Sequence, residues 1–231
     1  MVRRLAAWME IVTYPRPELA ALVDPAQLAE HLELLFGYVD FEPHHVVGLR
    51  GIGEKGTPKE GQHAEQVWIQ VGAGECLVDS AVAAARIWAQ HGVACFVIPG
   101  VLSKCEGTAD AVELMTALVV DLDKHDTDAK LAYLLQATGV RPDMVVRSGG
   151  TTDSGHPKRH VWYRLTEPTR DIPGVMVVRH RLAQLCGGDL ALGLPVDARH
   201  GVDRGRAHQP IRLAGTVHGK GGGARLVEIE R

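Results

Sequence analysis

Two aspartates, Asp121 and Asp123, end a short apolar run and carry the strongest chemical signal in the sequence. Residues 117–122 are apolar apart from Asp121 and rich in β-branched side chains, which predicts a buried strand. Side chains alternate between the two faces of a strand, so both carboxylates should point the same way, with Cα atoms roughly 6.5–7 Å apart. Both could then reach one divalent cation, or one each of two cations about 3.5–4 Å apart.

The same pair has more ordinary interpretations. An Asp-x-Asp at a strand end commonly caps a turn or a helix, so the motif alone is a hypothesis. An EF-hand loop is excluded, because Asp126 stands where that loop requires Gly and Ala132 stands where it requires Glu. A two-metal site would also need a third carboxylate. The sequence offers three candidates without ranking them well: Asp189, Asp197 and Asp203.

A first glycine-containing segment suits phosphate binding. Ser148, Gly149 and Gly150 are followed by a polar loop and then by His160. The strands before and after the loop should form a hairpin, with Ser148 and His160 near its base. Glycines allow backbone N–H groups to approach a phosphate closely. An ordinary surface loop, with Lys158 and Arg159 as a solvated basic pair, fits the same residues.

A second such segment runs from Arg212 to Lys220 and includes His218. It combines a strand-borne arginine with a glycine-rich turn that carries Thr, His and Lys. These groups suit charge-assisted hydrogen bonds to a triphosphate. An ordinary basic hairpin would show the same pattern.

The bulk composition narrows the classes of protein. The chain has 231 residues, enough for one large domain or two small ones, and its 45% hydrophobic content is typical of globular proteins. A formal net charge of −3 means that nucleic-acid binding would need a local patch. The four scattered cysteines predict reduced thiols in a cytoplasmic protein. No apolar run predicts a signal peptide or a membrane span.

The pattern of apolar residues predicts an α/β fold of the α+β type. The first half should contain a helix over residues 25–36, with Asp24 as its N-cap, and an α/β unit. The second half reads β-α-β-β-α-β, the split βαβ arrangement, with a last strand that begins at Ile211. That order predicts an antiparallel sheet with helices on one face and the other face free for a site. Gly149 and Gly150 should end one of its strands.

In this order, the segments resemble the archaeo-eukaryotic primase (AEP) superfamily, especially the primase-polymerases of plasmids and mobile elements. That family carries an Asp-x-Asp/Glu pair, a Ser-x-His-type motif and a hydrophobic-Asp motif on an RRM-like palm. Asp121 and Asp123 match the pair, and Ser148 to Gly150 with His160 match the second motif across an insertion. The stretch 212–220 matches a family segment that reads Arg-Leu-Pro-Gly-Thr-x-Asn/His-x-Lys, with Ala in place of Pro.

Two assignments within the resemblance have alternatives. Either His156 or His160 could meet the nucleotide, and the Trp-Tyr-x-Leu that follows favours His160. The third motif places its aspartate at Asp197 by one alignment and at Asp189 by another; we prefer Asp197, with Asp203 also possible.

The resemblance implies one catalytic domain over residues 1–231, with an N-terminal α/β subdomain (1–110) and an RRM-like palm (111–231). It implies a template-dependent nucleotidyltransferase of plasmid, phage or mobile-element replication that uses two Mg²⁺ or Mn²⁺ ions held by Asp121, Asp123 and Asp197. The nucleotide (NTP or dNTP) would be bound by Ser148, Gly149, Gly150, His160, Arg212, His218 and Lys220. Partners would be single-stranded or primed DNA and a helicase or helical primase domain, without a membrane.

Two other functions share parts of this pattern. The polymerase domains of bacterial end-joining ligases have the same palm, so gap filling is a neighbouring possibility. A non-catalytic RRM-like module would bind nucleic acid through aromatic residues on its sheet. Template contacts in the first half could come from Arg50, Lys55 and Lys59, which also fit a solvated loop.

Overall fold

Two antiparallel sheets organise the chain in the computed structural model, which describes residues 14–189 and 205–231. The strands in chain order are β1 (Val47–Gly53), β2 (Glu65–Ile69), β3 (Val93–Val97), β4 (Gly100–Leu102), β5 (Val112–Leu122), β6 (Met144–Thr151), β7 (Pro157–Thr169), β8 (Ile211–Arg212), β9 (Val217–His218), β10 (Arg225–Leu226) and β11 (Glu228–Ile229). Strands β9 and β10 pair with each other as a separate ribbon.

Five α-helices lie among the described residues: α1 (Pro17–Ala20), α2 (Pro25–Phe36), α3 (Leu77–Gln90), α4 (Thr127–Thr138) and α5 (Ile172–Cys186). Short 3-10 turns cover Val71–Ala73, Ala109–Ala111 and Lys220–Gly222. The predicted cap of α2 is confirmed, because the Asp24 carboxylate accepts hydrogen bonds from the backbone N–H groups of Ala26 and Gln27. Proline at the first helical position adds to this start signal.

The larger sheet is the predicted antiparallel palm, with strand order β11-β6-β7-β5-β4. Its two long central strands, β5 and β7, pair so that Asp121 lies opposite His160. Strand β6 does not end at Gly149 and Gly150 as predicted but continues to Thr151. Its register with β7 shifts between Arg147 and Thr151, so the glycines form an irregularity inside the strand.

The strand predicted to complete the palm lies elsewhere. Ile211 and Arg212 pair with β3 and complete the smaller sheet, whose order is β2-β1-β3-β8. The palm edge beside β5 is occupied instead by β4, which comes from the first half of the chain. The prediction was wrong here because apolar periodicity identifies a strand but not its partner. Each half of the chain thus gives one strand to the sheet formed mainly by the other half. As a result, Arg212 from the second half lies in the smaller sheet.

The core lies between the sheets and leaves one end of β5 open. The largest hydrophobic cluster joins Leu28 and Leu32 of α2 and Trp88 of α3 to Val119 and Trp162 of the palm. A separate cluster packs α4 and α5 against the other palm face. The palm face expected to be free is therefore covered along most of its length, and the site is confined to the end of β5 that carries the aspartates.

Among the described helices, none combines the length and the apolar character needed to cross a bilayer. The thiols of Cys76, Cys95, Cys105 and Cys186 are all free.

Candidate active site

The two aspartates lie on one face of the palm, opposite two basic side chains of β7. The Asp121 Oδ1 atom is 3.7 Å from Nε2 of His160, and the Asp123 Oδ2 atom is 4.0 Å from Nζ of Lys158. This follows from the strand register, since residues paired across an antiparallel sheet share a face. The structure therefore brings Asp121, Asp123 and His160 together as the sequence predicts.

A third carboxylate, that of Asp189, belongs to the loop after α5. The helix ends at Gly187, which has φ +66°, and the Asp189 N–H then donates to the Asp121 carbonyl at 2.8 Å. A Cβ atom at Gly188 would lie 2.9 Å from Val120 Cγ1 and 3.0 Å from that carbonyl oxygen, so glycine permits the close approach. Asp197 and Asp203 lie outside the described residues, so the preference for Asp197 stays a prediction.

Burial and mutual repulsion govern the ionisation of this acidic group. Burial, the largest cause, together with the charges of Asp123 and Asp189 raises the pKa of Asp121 to about 7. Lys158 and Arg212 act in the opposite direction. Like charges held this close are stabilised by a bound cation, and carboxylate oxygens suit hard ions such as Mg²⁺ and Mn²⁺. The residues present thus fit a divalent metal.

A basic cavity of about 560 Å³ adjoins the acidic group. Lys158 and Arg212 belong to both, because each lines the cavity and each interacts with the charge of an aspartate. Its lining contains five of the predicted nucleotide-binding residues together with further polar and basic groups: Ser148, Gly150, Thr151, Lys158, Arg212, His218, Lys220, Gly221, Gly223 and Arg225. Four permanent cations around one cavity form a site for a polyanion.

Gly149 is next to two residues that line the cavity, Ser148 and Gly150, and its position requires a glycine. Its φ is +83°, and a Cβ atom there would be only 2.6 Å from the Cβ of His218. The Gly149 carbonyl accepts a hydrogen bond from Arg225 at 3.3 Å. The irregularity in β6 therefore lets the first and the second glycine-containing segments meet.

His160 is buried and uncharged at neutral pH. Burial lowers its pKa to about 3, and the nearby charge of Arg212 contributes to the shift. Its Nδ1 atom is buried without a hydrogen-bond partner in the described part of the chain. A neutral imidazole can donate one hydrogen bond and accept another, so His160 can orient a polar ligand without adding charge.

Sequence analysis missed Glu54, a buried carboxylate beneath the cavity. Its Oε1 atom is 3.0 Å from Nη2 of Arg212 and 3.6 Å from Nε2 of His218, and its other oxygen accepts the N–H of Gly219. Glu54 belongs to the segment interpreted as a flexible loop, and Gly219 is 165 residues away in sequence. Because its partners are so remote, no local pattern marks it. Arg225 was also missed, although it follows the glycine-rich turn.

The three candidates for template contacts have different surroundings. Arg50 lies on β1 and donates from Nη2 to the Gly107 carbonyl at 2.7 Å. Lys59 forms an exposed ion pair with Glu65 at 3.4 Å, as expected for a solvated loop. The backbone carbonyl of Lys55 accepts the N–H of Gly221 at 2.7 Å, so this loop packs against the turn that lines the cavity.

Two further groups of potential metal ligands occur among the described residues, Glu42 with His44 and His45, and Asp126 with Asp128 and His156. Both are already engaged in ion pairs. Arg159 lies 2.6 Å from Asp128, and His44 lies 2.9 Å from a further carboxylate, that of Glu113. They are the alternative metal sites to the acidic group at the end of β5.

No protein-family model and no curated protein matches the sequence. Among solved structures, the AEP domain of the cyanophage S-2L primase-polymerase (PrimPol) is similar, with a TM-score of 0.59, 19% sequence identity and 90% of each chain covered. The chain has the AEP fold. The AEP fold of this chain thus comprises the palm and the smaller sheet together, with the acidic group and the basic cavity between them.

Replacing Asp121 by Asn should raise the melting temperature at pH 8 in the presence of EDTA. Because the pKa of this carboxyl is higher in the folded protein than in the unfolded chain, its contribution to stability falls as the pH rises from about 4 to about 7. Asn removes that penalty, and one pKa unit corresponds to about 1.4 kcal/mol, so we expect a gain of at least about 1 kcal/mol. The gain should shrink towards pH 4. Exposed Asp40→Asn is the control, and an unchanged or lower melting temperature for Asp121→Asn would contradict the assignment.

Replacing Glu54 by Ala should destabilise the fold by about 3–5 kcal/mol, because it leaves the buried Arg212 guanidinium without its carboxylate. Urea unfolding would measure this, with Glu60→Ala in the same loop as an exposed control. The double variant Glu54→Ala/Arg212→Ala should lose less than the sum of the two single variants. Additive losses would show that the two side chains are not coupled.

Proposed function

We propose that this chain is a template-dependent DNA primase-polymerase, a nucleotidyltransferase that extends a primer or starts one on single-stranded DNA. The observation that supports this most directly is the shared wall between the acidic group and the basic cavity. Lys158 and Arg212 contribute to both, so a polyanion in the cavity would lie beside the carboxylates of Asp121 and Asp123. Nucleotidyl transfer requires this juxtaposition of metal ligands and triphosphate.

The carboxylates would hold one or two Mg²⁺ or Mn²⁺ ions. When bound, such ions supply activation of the primer 3′-hydroxyl and neutralise charge on the pyrophosphate leaving group. Asp121 and Asp123 are proposed ligands, and Asp189 is the third carboxylate that the described residues support. Its charge acts on Asp121, and its backbone is hydrogen-bonded to the same residue. Asp197 remains the alternative for this position.

The cavity would bind the triphosphate of an incoming NTP or dNTP. Arg212, Lys220 and Lys158 supply positive charge, while Ser148 and the backbone around Gly149 and Gly150 supply hydrogen bonds. His160, which is neutral, would orient the substrate beside Asp121 without competing with a metal ion for charge. The contribution of the protein to the reaction is positioning and electrostatics, as in other phosphoryl transfers.

The alternative functions make different demands on this site. A non-catalytic RRM-like module is less well supported, because carboxylates at the end of a central strand repel phosphate unless a cation is present. Gap filling by an end-joining polymerase would use the same groups, so gapped and unprimed templates must be compared. We further propose a cytoplasmic role in plasmid, phage or mobile-element replication, where a helicase or helical primase domain would be a partner.

Primer extension on single-stranded DNA, with Mg²⁺ or Mn²⁺, tests the proposed activity. The wild-type protein should incorporate nucleotides, and Asp123→Asn should lower the rate by about 100-fold or more, since one catalytic electrostatic group is commonly worth that much. The exposed Asp40→Asn variant should retain full activity. Metal-dependent DNA or nucleotide binding without incorporation would rule out the enzyme and favour the binding module.

The same assay identifies the third carboxylate. If Asp189 is a ligand, Asp189→Asn should lose activity as Asp123→Asn does, while Asp197→Asn keeps most of it. The reverse result would assign the ligand to Asp197, as the sequence motif favours.

A further inference from the structure

The smaller sheet has one covered face and one partly open face. Helix α3 packs on the first face, where a Cβ atom at Gly51 would lie 2.7 Å from the Trp88 ring. On the second face, four residues are directly paired across the four strands: Gln66, Arg50, Phe96 and Arg212. Directly paired residues share a face, so these side chains form a row across the sheet.

The row is accessible and has the composition of a single-strand binding surface. Gln66 is exposed, and Arg50, Phe96 and Arg212 are half-buried. Trp68 lies two positions from Gln66 on the same strand and face, and it is also half-buried. The Arg212 guanidinium lies 4.7 Å from the centre of the Phe96 ring. Aromatic rings interspersed with arginines on a sheet are how many proteins hold single-stranded nucleic acid.

Additional positive charge lies beside the row. Arg206 is exposed, and the pKa of half-buried His208 is lowered by burial and by the charges of Arg50 and Arg206. The charges of these two arginines thus act on the same imidazole. The face is therefore locally basic in a chain whose formal net charge is −3.

The row is continuous with the basic cavity, because Arg212 belongs to both. Three inter-strand spacings separate Gln66 from Arg212, which corresponds to roughly 14 Å. A strand lying along the row would pass from the outer edge of the smaller sheet to the wall of the cavity. A template on this path would present a base to a nucleotide bound there.

We propose that the row Gln66, Arg50, Phe96 and Arg212, which we call the template platform, binds the single-stranded DNA template. Bases stack on Phe96 and on the edge of Trp68, and Arg50 with neighbouring Arg206 contacts phosphates. This assignment rests on the proposed function, because it names the path of that enzyme's template. It does not involve Lys55 and Lys59.

Fluorescence anisotropy with a labelled single-stranded oligonucleotide, without metal or nucleotide, tests the platform. The variant Arg50→Gln/Arg206→Gln should raise the Kd about 10-fold or more and flatten the salt dependence, since two phosphate contacts are lost. The matched control is Arg86→Gln/Arg181→Gln, which removes two exposed arginines from α3 and α5. Its Kd should stay within about two-fold of wild type in low salt, because any remaining effect is long-range.

Two further variants separate contacts from folding. Arg50→Lys/Arg206→Lys keeps the charge and should recover most of the affinity, and Phe96→Leu should raise the Kd about 10-fold by removing one stacking ring. Each variant should still unfold cooperatively on heating, and the affinity of the Arg50 and Arg206 variants for a nucleotide with Mn²⁺ should match wild type. A Phe96→Leu variant with wild-type affinity would contradict stacking at this residue.

The outcome is distinguishable from failure of the proposed function. Loss of oligonucleotide binding in the platform variants, with no primer extension by wild type, would refute the polymerase and leave the surface as a DNA-binding site. Primer extension by wild type, with equal Kd values for platform and control variants, would overturn the platform alone. Absence of single-strand binding by wild type, or equal affinity for duplex DNA, would overturn it as well.

Discussion

Repulsion among carboxylates at the end of β5 is the constraint on which the arrangement of the site depends. Strand register and a glycine turn hold the backbones of Asp121, Asp123 and Asp189 close together. Burial and the charges of the other two acids raise the pKa of Asp121 to about 7. A fold that stabilised only itself would not keep three acids there, since buried charge without compensation is costly. Sites that hold such strain are commonly functional.

The negative charge of these carboxylates is compensated by a cationic wall whose side chains come from both sheets. Lys158 belongs to the palm, whereas Arg212 pairs with the smaller sheet through β8. Glu54 reaches from the first half to hold Arg212, His218 and the Gly219 N–H. The pairing of β8 with the smaller sheet therefore places Arg212 in the wall beside the acids. A ligand that contacts both groups would bridge the two sheets.

The features that the sequence predicts correctly are those set by local rules. The Asp24 cap defines the start of α2, and side-chain alternation places Asp121 and Asp123 on one face. Remote pairings are the features it misses. The residue types of Ile211 and Arg212 do not indicate which sheet they join. The sequence around Glu54 does not indicate that its partners lie between residues 212 and 219. The order of Asp197 and Asp189 comes from an alignment of motifs and stays a prediction, and no local pattern announces the backbone hydrogen bond that joins Asp189 to Asp121.

The central claim is that the acids at the end of β5 hold divalent ions against a triphosphate in the basic cavity. Anomalous scattering from crystals grown with Mn²⁺ and a non-hydrolysable nucleotide tests it most directly. The account predicts Mn²⁺ peaks about 2.0–2.3 Å from carboxylate oxygens of Asp121 and Asp123, beside phosphates contacted by Arg212 and Lys220. Peaks confined to the groups around His45 or His156, with no metal near Asp121, would contradict it.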